Sequence, residues 1–200
     1  AHGVVMKFKY CILVGGNSSH IRIAADVVEQ SIAADFEPMG GEFDTEILSH
    51  TPSLNIDKKL YADAGYAGEV VVGICVFCST WLGNKLLDEL YDKGIKSSFK
   101  RFVDAFYSNK RCVKNKIDLF ACTHFADIDL TVVIRLTTTE SLTLEQRDRL
   151  FRHANVIAAR FIDENGKLAP VHYYHVQSES INIQPMLRES LEQIQCEKWP

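Results

Sequence analysis

The feature that most constrains the fold of this chain is the run EVVVGICVFC over residues 69–78. Apolar residues, many of them Val, follow one another here almost without interruption. A strand with apolar side chains on both of its faces has to be covered on both sides, as the inner strands of a sheet are. The run therefore predicts a central β-strand.

Helical and strand patterns alternate after this run. Apolar residues recur at helical spacing up to Gly94 and again from Ser97, which predicts two successive helices. Thr143, followed by Glu145 and Gln146, is typical of a capped helix N-terminus. The remaining predicted elements are strands over 117–122 and 128–136 joined as a hairpin, a last strand over 171–177 and a closing helix over 183–195.

The predicted order over residues 69–177 is β-α-α-β-β-α-β. When the two helices of the first crossover are counted as one broken element, this is the split βαβ, or ferredoxin-like, order. We therefore predict an α+β protein, an α/β sandwich, with a mixed sheet of ferredoxin-like βαββαβ order in residues 69–177. An N-terminal strand–helix unit and a C-terminal helix complete it.

The 200 residues fit one domain, so we predict a single globular domain over 1–200. Residues 7–66 would form the N-terminal strand–helix unit with an irregular segment, and 67–196 the ferredoxin-like core and closing helix. In the first unit a strand over 7–14 precedes a helix whose apolar residues recur from Ile21, and a short helix is expected over 44–49. We expect the N-terminal strand to join the edge of the same sheet.

The cysteines and the apolar runs bear on the compartment. Four of the six cysteines lie inside apolar, strand-like runs, where a reduced thiol behaves as a small hydrophobe. The first residues lack the basic region and apolar run of a signal peptide, and no stretch approaches the ~20 apolar residues that span a bilayer. We therefore expect a cytoplasmic protein that does not partner with membranes.

Charge is distributed unevenly behind a net value of -4. Residues 26–69 contain ten acids and two bases, whereas residues 93–116 contain eight bases and one acid. The basic stretch indicates either a site for a phosphorylated ligand or a solvated face that complements the acidic segment within the chain or across a homodimer. Nucleic acid is not the expected partner, because domains dedicated to it are usually basic overall.

Two strand-to-helix junctions, at residues 15–20 and 78–80, are rich in Gly, Ser and Thr. Glycines let a backbone approach a ligand closely, and a helix N-terminus presents unpaired N–H groups to an anion. An ordinary turn before a capped helix is the alternative, since neither a dinucleotide fingerprint nor a P-loop is present. The predicted ligand-binding residues are Gly15, Gly16, Asn17, Ser18, Ser19, Ser79, Thr80, Lys100 and Arg101.

Four further residues form a weaker candidate for a metal site: Cys75, Cys78, Cys122 and His124. They have the composition of a Cys₃His zinc site, but positions three apart in a strand point to opposite faces, which favours buried free thiols instead. A second hypothesis makes Cys78 or Cys122 a nucleophile, His124 its base, and Asp127 or Asp129 the group that orients the base.

The last predicted strand contains the string HYYH over residues 172–175. His172 and Tyr174 share one face of this strand, and Tyr173 and His175 share the other. Either pair could line a pocket with Arg135 or Arg160 nearby. A half-exposed strand with packed tyrosines is the favoured alternative.

These patterns predict a cytosolic sensing or binding module for a phosphorylated or nucleotide-like small ligand. One alternative is a protein–protein interaction or regulatory module, often dimeric, and another is a Cys/His or metal-dependent enzyme. The sequence contains no specific catalytic motif, so we assign no enzymatic activity, and it indicates no cofactor.

Overall fold

The computed structural model describes residues 9–16, 20–31, 70–78, 80–81, 83–177 and 180–195. The strands in this part of the chain are β1 Lys9–Gly16, β2 Val70–Cys78, β3 Ile117–Phe125, β4 Leu130–Thr138, β5 Val171–Gln177, β6 Ser180–Ile181 and β7 Met186–Arg188. The helices are α1 Ile21–Ser31, α2 Asn84–Leu90, α3 Lys96–Ser108, α4 Leu144–Asn165 and α5 Leu191–Gln195, with a π-helical turn, Tyr91–Ile95, joining α2 to α3. The short helix predicted over 44–49 lies outside the described residues.

The strands form one mixed sheet in the order β1-β2-β3-β4-β5-β6, and β7 also pairs with β5. β2 and β3 are parallel, as are β4 and β5, whereas β1 with β2 and β3 with β4 are antiparallel. The predicted α+β class, the mixed sheet and the βαββαβ chain order are confirmed. None of the described helices is long and apolar enough to cross a bilayer.

The spatial order of the strands corrects one part of the ferredoxin-like prediction. In a split βαβ arrangement the last core strand would return beside the first, but here β5 pairs with β4. The second edge of β2 is already occupied by β1, which pairs with it in antiparallel fashion. Lys9 lies opposite Phe77 at one end of this pairing, and Gly16 lies opposite Val70 at the other. The expectation that the N-terminal strand joins the sheet edge is confirmed, and it leaves no edge of β2 for β5. The order is unsplit because β2 and β3 pair directly in parallel, with no strand between them.

Helices α1 to α4 pack against one face of the sheet, and α5 packs against the other. On the helical face, Val72, Ile74 and Val76 of β2 belong to the main core together with residues of α1 to α4. On the opposite face, Cys75 lies in a second cluster with Phe120, Val133, Tyr173 and Ile194. β2 is therefore covered on both faces, as its apolar run predicts.

The predicted break at Gly94 is a π-helical turn within one continuous helical segment. A π turn adds one residue to a helix, so the next residue on a given face is five positions on. Leu90 is followed by Ile95 in this way, and then by Phe99, and all three are buried. The extra residue keeps the apolar stripe against the core where α-helical spacing would have placed Gly94.

The predicted closing helix over 183–195 is wrong for its first half. Residues 186–188 form β7, which pairs antiparallel with Val171, His172 and Tyr173 of β5, and only Leu191–Gln195 is helical. The edge of β5 offers unpaired backbone N–H and C=O groups, and satisfying them outweighs the local helical pattern. The spacing of apolar residues reports local preference alone, so it does not show that strand pairing with β5 competes with helix formation here.

Candidate functional site

The two predicted ligand loops lie at opposite ends of the sheet. Gly16 ends β1 opposite Val70, the first residue of β2, whereas Thr80 follows the last residue of β2. A nine-residue strand is about 26 Å long, so the two junctions do not line one site. Asn17, Ser18, Ser19 and Ser79 lie outside the described residues.

The end of the sheet at Gly15 and Gly16 also receives the loop between α3 and β3. We call residues 109–116 of this connection the basic loop. Nδ2 of Asn115 donates to Nδ1 of His20, just before α1, at 2.8 Å. Tyr107 donates from its hydroxyl to the carbonyl oxygens of Asn115, at 2.9 Å, and Thr138, at 3.3 Å. These bonds fasten the basic loop between the start of α1 and the end of β4.

The predicted basic stretch separates into two parts with different electrostatics. In the first part, Lys93 pairs with Glu89, Lys96 with Asp148 at 3.0 Å, and Lys100 with Asp104 at 2.9 Å. Lys100 and Arg101, both predicted ligand residues, are exposed on α3. In the second part, the exposed bases have no carboxylate partner among the described residues; they are Lys110, Arg111, Lys114 and Lys116. The basic loop therefore brings together four exposed bases that have no ion-pair partner among the described residues.

The junction after β2 is bound to the hairpin that joins β3 and β4. Both carboxylate oxygens of Asp127 accept from the backbone N–H of Trp81, at 3.1 and 2.9 Å. The Trp81 ring meets that of Phe125 edge-on, with centroids 5.0 Å apart. The backbone N–H of Ala126 donates to the carbonyl of Cys78 at 2.9 Å. Asp127 therefore holds this junction in place.

The four residues proposed for a metal site are distributed over both faces of the sheet. Cys75 and Cys122 are register partners whose thiols share a hydrogen bond, and that bond and burial raise the pKa of Cys75. Cys78 belongs to the core on the helical face, away from this pair. The described part of the chain contains no group of three or more His, Cys, Asp or Glu side chains placed to bind a metal.

Of the two proposed nucleophiles, Cys78 lies apart from the proposed base, His124, and Cys122 shares a hydrogen bond with Cys75. Burial, and secondarily the charge of Asp127, raises the pKa of Cys78 to about 12, so this thiol is protonated at neutral pH. His124 packs beside Phe77 on the other face, with Nδ1 3.0 Å from the Thr131 hydroxyl, and burial lowers its pKa. Asp129 pairs with Lys167 at 2.8 Å. The geometry does not assemble a catalytic triad from these residues.

A buried ionic network crosses β3, β4 and β5 on the face opposite α1 to α4. Nη2 of Arg135 donates to Asp118 at 2.6 Å, and Nη1 donates to the Tyr173 hydroxyl at 3.4 Å. Thr137 donates to the second carboxylate oxygen of Asp118, also at 2.6 Å. The guanidinium carbon lies 5.1 Å from the centroid of the Phe120 ring.

Arg135 keeps its charge despite burial. Burial by itself would lower the pKa of Arg135, but the charge of Asp118 and the hydrogen bonds to Asp118 and Tyr173 leave it raised. The sequence pattern placed Tyr173 and His175 on one face with Arg135 nearby, and the structure brings these three together. The sequence pattern did not indicate Asp118, because a single acid inside an apolar run gives no periodic signal. The available clue was one acid and one base, each inside an apolar run, on the two strands predicted to form a hairpin.

Comparison of the chain with protein-family models, with curated proteins and with solved structures gives no match.

Proposed function

We propose that the protein is a cytoplasmic binding module for a phosphorylated or nucleotide-like small ligand, held where β1 runs into α1. The observation that carries this proposal is the set of exposed bases in the basic loop. They have no carboxylate partner in the described part of the chain, and Asn115 fastens their loop to His20. A ligand at this end would meet these bases and the start of α1 together.

The chemistry of this end suits a phosphate group. α1 has 11 residues, so its N-terminus contributes both unpaired backbone N–H groups and the positive end of the helix dipole. Lys and Arg donors make charge-assisted hydrogen bonds to phosphate oxygens, and Arg can do so in a bidentate manner. Gly15 and Gly16 have no side chains that would keep a ligand away from the backbone.

A small ligand fits this surface better than a nucleic acid. The net charge of the chain is -4, and bases elsewhere in the predicted stretch are paired with acids. Four exposed bases without a described carboxylate partner lie close together in one loop of eight residues. A duplex or a long strand would need a positive surface that continues beyond one loop.

Calorimetric titration of the full chain with inorganic pyrophosphate and a panel of nucleoside mono-, di- and triphosphates tests the proposal. At low salt we expect one saturable site that weakens as salt is raised. The double variant Lys114→Gln/Lys116→Gln should weaken binding about tenfold or more, the loss expected when a hydrogen bond to a charged group is removed.

The control is the double variant Lys93→Gln/Lys100→Gln, which removes the same charge from the paired part of the basic stretch. We expect its affinity to stay within about twofold of the parent chain, because these two lysines face acids. Absence of binding by every phosphorylated probe at low salt would refute the proposal. Equal losses in the two double variants would refute the assignment to the basic loop.

A further inference from the structure

A gap in the pairing of β5 forms an open groove at one edge of the sheet. β6 pairs with Val176 and Gln177 of β5, and β7 pairs with Val171 through Tyr173. Within the described chain, neither short strand is in register with the intervening Tyr174 and His175. The groove has a volume of about 360 Å³, and its walls are His175, Ser180, Ile181, Asn182 and Met186.

Asn182 takes the place of a strand at this gap. Its Oδ1 accepts from the backbone N–H of His175 at 2.9 Å, and its Nδ2 donates to the carbonyl oxygen of Gln184 at 2.6 Å. Both ends of the amide are therefore held, and the wall of the groove exists before any ligand arrives. A preformed wall removes part of the ordering cost of binding.

The groove is uncharged at neutral pH. Burial, and then the positive charge of Arg135, lowers the pKa of His175 to about 4, so its imidazole is neutral. Ser180 and Asn182 are neutral polar residues, and Ile181 and Met186 supply apolar surface. Met is flexible and polarisable, and it packs well against the flat face or edge of a ring. Such a lining disfavours ions and favours a neutral molecule with both apolar and polar edges.

The His175 ring in the wall of the groove has a buried aromatic ring behind it. The His175 ring lies almost parallel to the Tyr173 ring, at 9° with centroids 6.3 Å apart. Tyr173 in turn accepts a hydrogen bond from Arg135, which is fixed by Asp118. Since small-molecule pockets measure about 300–1,000 Å³, this groove fits a single ring system and not an extended cofactor.

We propose that this groove is a binding site for the planar, uncharged ring of a nitrogen heterocycle. Flat aromatic surface, adaptable apolar walls and a few fixed polar groups are the features by which such rings are recognised. The site does not rest on the phosphate-binding proposal, because it lies at the β5 edge of the sheet, whereas the basic loop adjoins β3 and the start of α1.

The test uses the full chain and four neutral nucleosides, adenosine, guanosine, cytidine and uridine, which carry a heterocycle without phosphate. Two-dimensional amide NMR of ¹⁵N-labelled protein should show saturable shifts at 175, 180–182 and 186 for at least one nucleoside. The expected dissociation constant is on the order of 0.1–1 mM, as for other ligands of this size. Inorganic pyrophosphate should leave these amides unchanged.

Two variants that introduce the same residue, Trp, separate the groove from its surroundings. Ser180→Trp fills the groove and should abolish the shifts, whereas Ile183→Trp changes a 77% exposed neighbour outside it and should retain them. If Ser180→Trp does not give a folded spectrum, Met186→Ala removes a wall and should weaken binding at least about threefold.

Absence of shifts with all four nucleosides would overturn the groove as a ring site, and so would undiminished binding by the folded groove variants. Nucleoside binding without pyrophosphate binding would support the groove and count against the phosphate proposal. Pyrophosphate binding without nucleoside binding would do the opposite. The two proposals therefore fail independently.

Discussion

Asp118 and Arg135 are opposite charges placed inside the sheet, with exposures of 0% and 2%. Removing two charges from water is costly, and such a pair persists only when its remaining hydrogen-bonding capacity is met. Here Arg135 and Thr137 each donate to one oxygen of the Asp118 carboxylate. The pair is therefore more sensitive to the loss of one partner than to replacement of both by apolar residues.

We predict that Arg135→Met lowers the free energy of unfolding by about 3–5 kcal/mol, because it leaves the Asp118 charge buried without a partner. Urea denaturation followed by circular dichroism measures the change. The double variant Asp118→Leu/Arg135→Met should recover most of the loss. Lys100→Met, which breaks the exposed pair with Asp104, serves as the control and should change stability by less than about 1 kcal/mol. If Arg135→Met and Lys100→Met cost the same, the buried pair is not as described.

His172 predicts a pH dependence of stability. Its side chain is 0% exposed, and its Nε2 accepts from the backbone N–H of Leu168 at 3.2 Å, so the neutral ring carries its proton on Nδ1. Burial, and then the charge of Lys167, lowers the pKa of His172 below its ordinary 6.5. Below pH 6.5 the unfolded chain takes up a proton that the folded chain refuses, so stability must fall as the pH falls.

The variant His172→Gln should reduce the slope of unfolding free energy against pH below 6.5, while His124 and His175, whose pKa values are also lowered, keep their contributions. The slope contributed by one such histidine is at most about 1.4 kcal/mol per pH unit. Denaturation midpoints at intervals from pH 7.5 to 5 give the curve. His153→Gln, on the exposed face of α4, is the matched control and should leave it unchanged. Parallel curves for the parent and His172→Gln would contradict the assignment.

At the scale of elements, local chemistry places the ends of α4. The Thr143 hydroxyl accepts from the backbone N–H of Gln146, and the Gln146 side chain accepts from the backbone N–H of Thr143, which completes a capping box. At the other end, Gly166 has a φ of 69°, a conformation that residues with side chains rarely adopt. Both signals lie in the sequence, and the predicted start of this helix is confirmed.

We predict that Thr143→Ala lowers the free energy of unfolding by about 1 kcal/mol, because one orphan N–H of the first helical turn loses its acceptor. Thr143→Ser keeps the hydroxyl and should change the free energy of unfolding by no more than a few tenths of about 1 kcal/mol. Thermal unfolding of the three proteins compares them at matched pH. Equal destabilisation by Ala and Ser would mean that the Thr143 methyl group, and not its hydroxyl, is the stabilising part.

At the scale of the whole molecule, the sheet has a well-paired centre and short pieces at one edge. β2, β3 and β4 are nine residues each and paired on both sides. β6 has two residues and β7 has three, and among the described strands each pairs with β5 alone. Local opening is easiest where few contacts are lost, so protection should decrease from the centre to this edge.

Native-state hydrogen exchange measures this gradient. We expect the amides of β2, β3 and β4 to exchange slowest, at rates limited by global unfolding, and those of β6 and β7 to exchange much faster. The comparison is internal, because all amides are followed in one sample under one condition. Fast exchange in β2 would contradict its pairing with both β1 and β3.

The candidate sites were predicted less completely than the elements. The sequence pointed to the glycine-rich junction and to Lys100 and Arg101 of the basic stretch, whereas the structure shows Lys100 paired with Asp104 and four exposed bases without described acid partners in the basic loop. A charge count cannot tell a paired base from an unpaired one, because pairing depends on which helix faces come together. The groove at the β5 edge gave no sequence signal, since it arises where two short strands leave a gap beside His175.

The sequence by itself determined the α+β class, the chain order of the core elements, the buried character of β2 and the capped start of α4. Each follows from apolar periodicity or from hydrogen bonds between residues close in the chain. Only the tertiary structure decided that β1 occupies the edge of β2, that β5 therefore pairs with β4, and that residues 186–188 form a strand. These outcomes depend on which strand edges remain unpaired when the chain collapses, and segments far apart in sequence compete for those edges.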